Sequence, residues 1–204
     1  MADSIDMICS IVLGSMLMIN VLTVNDIAAE TYSVYEGDMS VQEILVTTVQ
    51  VLEGEFRNMG FGVMENERTV LAADSSSITF LMDLDRDGAG LDTVRYFAGD
   101  STELNYTDNQ RDRFIYRTVN GTNGLKVGVV TMFRLRYLAM SGEQLSVPVQ
   151  SDRLSEIHEV EITLEVQNPY AVHSAGTRGV GPTNSLHSSS YWQQTRLASQ
   201  NSRR

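Results

Sequence analysis

The sequence predicts an α+β chain, a long N-terminal α-helix packed on an antiparallel β-sheet head. Three observations predict it. An uncharged apolar run extends from Met7 to Asn25, a stripe at helical period carries on from it to Met59, and the period shortens toward two beyond Gly62.

The first run would span about 28 Å as a helix, close to the ~30 Å hydrocarbon thickness of a bilayer. Ser10, Ser15, Asn20 and Thr23 interrupt it, as does Gly14. Asp3 and Asp6 stand before it and no Lys or Arg precedes Arg57, so it does not read as a secretory signal, which opens on a positive region. Cys9, the single cysteine, lies inside the run, where a thiol packs as a small hydrophobe. One cysteine excludes intramolecular disulfides and a cysteine-rich zinc site.

Ala28, Tyr32, Tyr35, Met39, Leu45, Val49, Leu52, Phe56 and Met59 follow in alternating three- and four-residue steps, broken only at Gln42. That stripe is the signature of an amphipathic helix lying on its own domain. Gly60 and Gly62 in "MGFGV" supply the stop, since glycine takes the positive φ that ends a helix. The expected helix runs from about Ser4 to Met59, far beyond the 11–12 residues of an ordinary globular helix. Its first half is apolar all round and needs a cover from outside the domain.

Beyond Gly62, "SITFLMDL" (77–84) and "DTVRYFA" (92–98) are β-rich runs flanking the turn-forming "DRDGAGL", a hairpin. Further strands are expected over 112–119, 129–140 and 157–166, about five in all, with turns at "NGTNG" and "SGEQ". From Asn168 the chain is rich in Gly, Ser, Thr and Asn, which predicts a flexible or extended arm ending in a segment with the only tryptophan, Trp192. Docking of Trp192 and Tyr191 onto this domain or a neighbouring subunit is favoured over a binding anchor.

The net charge is −11, which argues against a nucleic-acid partner. All acidic residues lie at or before Glu165; with 11 basic against 26 acidic residues the body carries −15 and the tail +4.

The best chemical motif is "DLDRDGAGLD". Asp83, Asp85 and Asp87 alternate and precede Gly88, as in the first half of a calcium loop, and Asp92 offers a late ligand. The twelfth position, Val94, lies in a strand, so the loop is not an EF-hand. The alternative is a hairpin whose aspartates form the turn and solubilise it. No catalytic set emerges: His158, His173 and His187 share no metal-ligand spacing, and neither a nucleophile elbow nor a phosphate loop is present. The arginines at 111, 113 and 117 and at 134 and 136 alternate with apolar residues, a solvent face where nearby acids would pair with them. Enzyme activity is not expected.

The start "SIDMICSIVLGSML", the helix end "LEGEFRNMGFGV" and the run "SSSITFLMDLDRDGAGLDTVRYFA" together resemble a type IV pilin-like protein, a minor pilin or pseudopilin of the PilW or type II secretion J kind. The resemblance covers residues 4–166 in architecture and is specific in the helix end and the hairpin. It implies four segments: 1–26, a transmembrane half of the helix that becomes filament core; 27–62, its amphipathic half; 63–167, the antiparallel β head; and 168–204, the polar arm. It implies a subunit that leaves the bacterial inner membrane for a filament in the periplasm or at the cell surface, with other pilin-like subunits and the membrane as partners. Asp6, Gly14 and Arg57 are the implied assembly residues. Where family precursors carry a short basic leader ending in Gly and then a Glu, this sequence reads "MADSID". Asp6 would stand in for that Glu and neutralise the N-terminal amine of a neighbouring subunit; alternatively, Asp3 and Asp6 complement the helix dipole. The competing function is a membrane-anchored surface binding domain that does not polymerise, with calcium as its candidate ligand.

Overall fold

The structure, a computed structural model, describes residues 2–64, 67–88, 90–104, 107, 109–167 and 190–198. The chain forms two compact units, Met1–Met39 and Ser40–Arg204. Helix α1 (Ala2–Arg57) supplies the first unit and enters the second.

Within Ser40–Arg204, α1 buries Val41, Leu45, Val49, Leu52 and Phe56, the helical spacing of a single face, against strands of an antiparallel sheet. The five-stranded sheet follows sequence order: β1 (Val70–Ala73), β2 (Ser77–Met82), β3 (Asp92–Ala98), β4 (Arg113–Val119) and β5 (Leu125–Val130). β2 buries alternate residues, Ile78, Phe80 and Met82, as a half-covered strand must. Phe56 of the helix meets Phe80 edge-on at 5.4 Å and lies 5.5 Å from Tyr96, so the core is centred on three aromatic rings. The hairpin read from the aspartate-rich turn is present, with Ser77 opposite Phe97 and Met82 opposite Asp92.

The head contains more strands than the sequence suggested, and they divide into two sheets. The run 129–140 breaks at Thr131, whose N–H and hydroxyl both donate to the Glu165 carbonyl, at 2.8 and 3.1 Å. The chain there leaves β5 and starts β6 (Met132–Ala139), which joins β7 (Ile157–Gln167) and β8 (Ser190–Ala198) in a three-stranded antiparallel sheet. The two sheets meet where Leu135 N–H donates to Ser75 O at 2.8 Å and the buried Tyr137 hydroxyl donates to Asp74 O at 2.8 Å. β8 falls in the segment assigned to the arm; it pairs with β7 from Glu159–Ala198 to Gln167–Ser190. The remainder of that arm, 168–189 and 199–204, lies outside the described residues.

The stripe also divides. Tyr32, Tyr35 and Met39 are exposed, and within Ser40–Arg204 the buried positions of the helix begin at Val41. Helical period reports which face is apolar and is silent on what covers it.

The helix stops as the glycines predicted, with Gly60 at φ 78° and Gly62 at φ 81°. Gly128 of β5 has a different role. A Cβ there would collide with the Thr48 side chain, so its bare backbone lets the helix cross the sheet closely.

Candidate functional site

Two features stand out from the residues upward. The first is the apolar half of α1. Every large apolar side chain from Ile5 to Ile27 is 50–67% exposed, and Cys9 is exposed with them. Covering such a row is worth roughly 15–25 kcal/mol at about 1–2 kcal/mol per side chain, as much as or more than the 5–15 kcal/mol that holds a whole domain together. Three of the polar residues that interrupt the row do not prevent that burial. The hydroxyls of Ser10, Ser15 and Thr23 donate to the carbonyls of Asp6, Val12 and Ile19 at 2.8, 2.9 and 2.9 Å, so they need no water. Among the described residues, one helix is long and apolar enough to cross a membrane, and it is this one.

Asp6 and Gly14 lie on this exposed surface, and a Cβ at Gly14 would meet nothing within 4 Å. Arg57 closes the other end of α1, where its charge complements the helix dipole and pairs with Glu53 at 3.8 Å.

The second feature is the acidic hairpin. Carboxylate oxygens of Asp83, Asp85 and Asp87 come within 4.8 Å of one another. Asp83 is 5% exposed; its Oδ2 accepts the Gly88 N–H at 3.1 Å, while its buried Oδ1 accepts no hydrogen bond from a described residue. A hydrogen bond from its own backbone lowers the Asp85 pKa, but the Asp87 charge, desolvation, Asp83 and Asp92 outweigh it, and the group is held above the usual carboxylate range. Asp92 is not in the group. Its Oδ2 accepts the Leu84 N–H at 3.2 Å and its Oδ1 the Asn120 amide at 2.7 Å, which closes the neck of the loop. Arg86, at φ 58°, sends its guanidinium to Asn58 Oδ1 at 3.5 Å and over the Phe61 ring. The loop is tied to the end of α1, because Asp83 N–H donates to Phe61 O at 2.8 Å and Gly60 N–H to Leu81 O at 2.9 Å.

A third group was not found from sequence. Glu55 of α1 accepts Nε and Nη2 of Arg117 at 2.9 and 2.7 Å and the Tyr96 hydroxyl at 2.6 Å, clasping the helix to β3 and β4. Arg117 was expected on the solvent face; it lies on the helix-facing side of β4 with buried Ile115, which corrects that expectation. Burial and the Glu55 charge push the Tyr96 phenol well above its ordinary pKa. Arg111 and Arg136 do pair with acids, Glu165 and Glu161, as expected.

No family model and no curated protein matches the chain. In fold, a type IV-like pilin from Thermus thermophilus superposes with a TM-score of 0.51, covering 80% of this chain and 98% of that one at 12% identity. The chain has a type IV pilin-like fold. At that identity the likeness is one of architecture, a long helix packed on an antiparallel sheet.

Proposed function

We propose that the chain is a structural subunit, a minor pilin or pseudopilin of the PilW or type II secretion J kind. It anchors in the bacterial inner membrane by residues 1–26 and assembles into a pilus or secretion pseudopilus in the periplasm or at the cell surface. The observation that carries this reading is the exposed apolar half of α1; among the described residues the hydrophobic core begins at Val41. Lipid covers that surface before assembly and the helices of neighbouring subunits cover it afterwards.

In this reading Asp6 neutralises the N-terminal amine of a neighbour. A carboxylate placed among apolar helices is costly unless paired, which makes the position selective for correct entry. Gly14 serves close approach of a second helix; glycine costs about 1 kcal/mol relative to alanine in a helix, and no contact among the described residues demands it. Arg57, the third assembly residue of this reading, lies in the last turn of the helix.

The test is detergent extraction of the native protein, negative-stain microscopy and N-terminal mass analysis. Filaments, or co-purification with pilin-like subunits and a trimmed or methylated N-terminus, support the proposal. A monodisperse, unprocessed monomer that stays with the membrane overturns it. That second outcome would promote the anchored binding domain, which the orphaned Asp83 oxygen favours.

A further inference from the structure

We infer that the β2–β3 loop is a calcium site in which Asp83, Asp85 and Asp87 supply the protein ligands, and that the bound ion fastens the end of α1 to the hairpin. The inference stands independently of whether the chain polymerises.

Two observations carry it. The first is geometric: three carboxylates present oxygens within 4.8 Å of one another. Ligands on opposite sides of a Ca²⁺ ion stand about 4.6–5.2 Å apart, twice the 2.3–2.6 Å metal–oxygen distance, so all three oxygens fit one coordination sphere. The shorter Mg²⁺–oxygen distance of about 2.0–2.1 Å favours a tighter, near-octahedral set with several waters, and a loop of protein carboxylates suits it less well.

The second observation is the state of Asp83. A carboxylate oxygen with no accessible surface and no hydrogen bond from a described residue is a costly thing to leave in a core. Its partner oxygen is held by the Gly88 N–H, which fixes the direction of the group. Gly62 packs closely on Asp83, since a Cβ there would stand 2.8 Å from the Asp83 Cβ. A cation beside Oδ1 satisfies it and relieves the repulsion among the three acids. The loop's own cation does not fill that role, since Arg86 reaches to Asn58 and Phe61.

The same backbone explains the consequence. Asp83 is bonded to Phe61 and Leu81 to Gly60, so an ion that orders the loop also orders the glycine turn after α1. The exposed Asp85 and Asp87 leave room for water to complete the coordination shell.

Titration of the full-length chain in detergent with CaCl₂, by calorimetry and thermal unfolding, tests the site. The expected result is a single site with Kd about 10⁻⁴–10⁻³ M, the range of extracellular modules with few charged ligands. A rise in Tm should accompany it. Asp85→Asn and Asp87→Asn change exposed side chains, so both variants should fold and should weaken Ca²⁺ at least tenfold. Asp152→Asn, an exposed acid elsewhere, should leave affinity unchanged. Binding should be at least tenfold weaker for MgCl₂. Absence of heat and of a Tm shift in the wild type overturns the inference, as does equal affinity for MgCl₂ or a Ca²⁺ response that survives both loop variants.

Discussion

At the scale of the residue, the clasp between Glu55, Arg117 and Tyr96 decides how firmly the helix sits on the sheet. Its two charges are only partly exposed, at 16% for Arg117 and 20% for Glu55, so solvent screens them less than a surface pair. Arg117→Ala removes two charge-assisted hydrogen bonds and leaves a half-buried carboxylate with one phenol as partner. The expected loss is about 1.5–3 kcal/mol, read from thermal or urea unfolding, and most of it should vanish in the background of Glu55→Gln. The tyrosines add a pH dependence whose sign is fixed. Burial and a neighbouring acid raise the Tyr96 pKa from 10.0, and burial and Asp74 raise that of Tyr137. Their stabilising effect is complete below about pH 10, where folded and unfolded phenols are both protonated. Above that, the unfolded chain releases protons the folded one retains, and stability falls by up to about 1.4 kcal/mol per pH unit for each residue. Unfolding followed from pH 8 to 11 should show this decline, and Tyr96→Phe or Tyr137→Phe should each make it shallower. The clasp was invisible in the sequence because Glu55 and Arg117 are 62 positions apart and only the strand register brings them together. The alternation of the arginines was legible, but alternation does not say which face meets the helix.

At the scale of the element, the helix–sheet contact is set by size. Gly128 lies beneath Thr48, and any side chain on the strand competes with the threonine for that space. Gly128→Ala should cost about 1–3 kcal/mol through overpacking. Thr48→Ala in the same chain should recover most of that loss, because it removes the atoms that collide. Additivity of the two changes in unfolding measurements would contradict a direct contact. Phe56→Ala, which empties the centre of the aromatic cluster, should cost about 3–5 kcal/mol. These elements were largely readable. The apolar stripe named Leu45, Val49, Leu52 and Phe56, the glycine pair named the stop, and the turn residues named the hairpin. β8 was not readable, because its polar sequence within a Gly- and Ser-rich stretch lacks the alternation of a half-buried strand. The break at Thr131 was not readable either, since β-forming residues run unbroken across it and a tertiary hydrogen bond to Glu165 makes the division.

At the scale of the whole molecule, the two units obey different rules. Ser40–Arg204 closes its own core, with helix, two sheets and the links at Ser75 and Asp74. The apolar residues of Met1–Met39 are left for a cover of another kind. The sequence displayed this contrast plainly, as an all-round apolar run passing into a one-sided stripe. Tyr32, Tyr35 and Met39 share the period of the stripe and are exposed, while the buried positions of the helix begin at Val41. The acidic loop was legible as a motif, while the buried Asp83 oxygen that distinguishes a ligand site from a solubilising turn required three dimensions. If neighbouring helices cover the first unit, its side chains should contact protein in the assembled state and lipid before it.

The most direct measurement places a photo-reactive amino acid at Leu17, one of the exposed apolar positions, in cells that carry the rest of the assembly machinery. Irradiation should then yield covalent adducts between this chain and pilin-like subunits, lost when assembly is blocked. Adducts with lipid alone, in cells that are making filaments, would contradict the account.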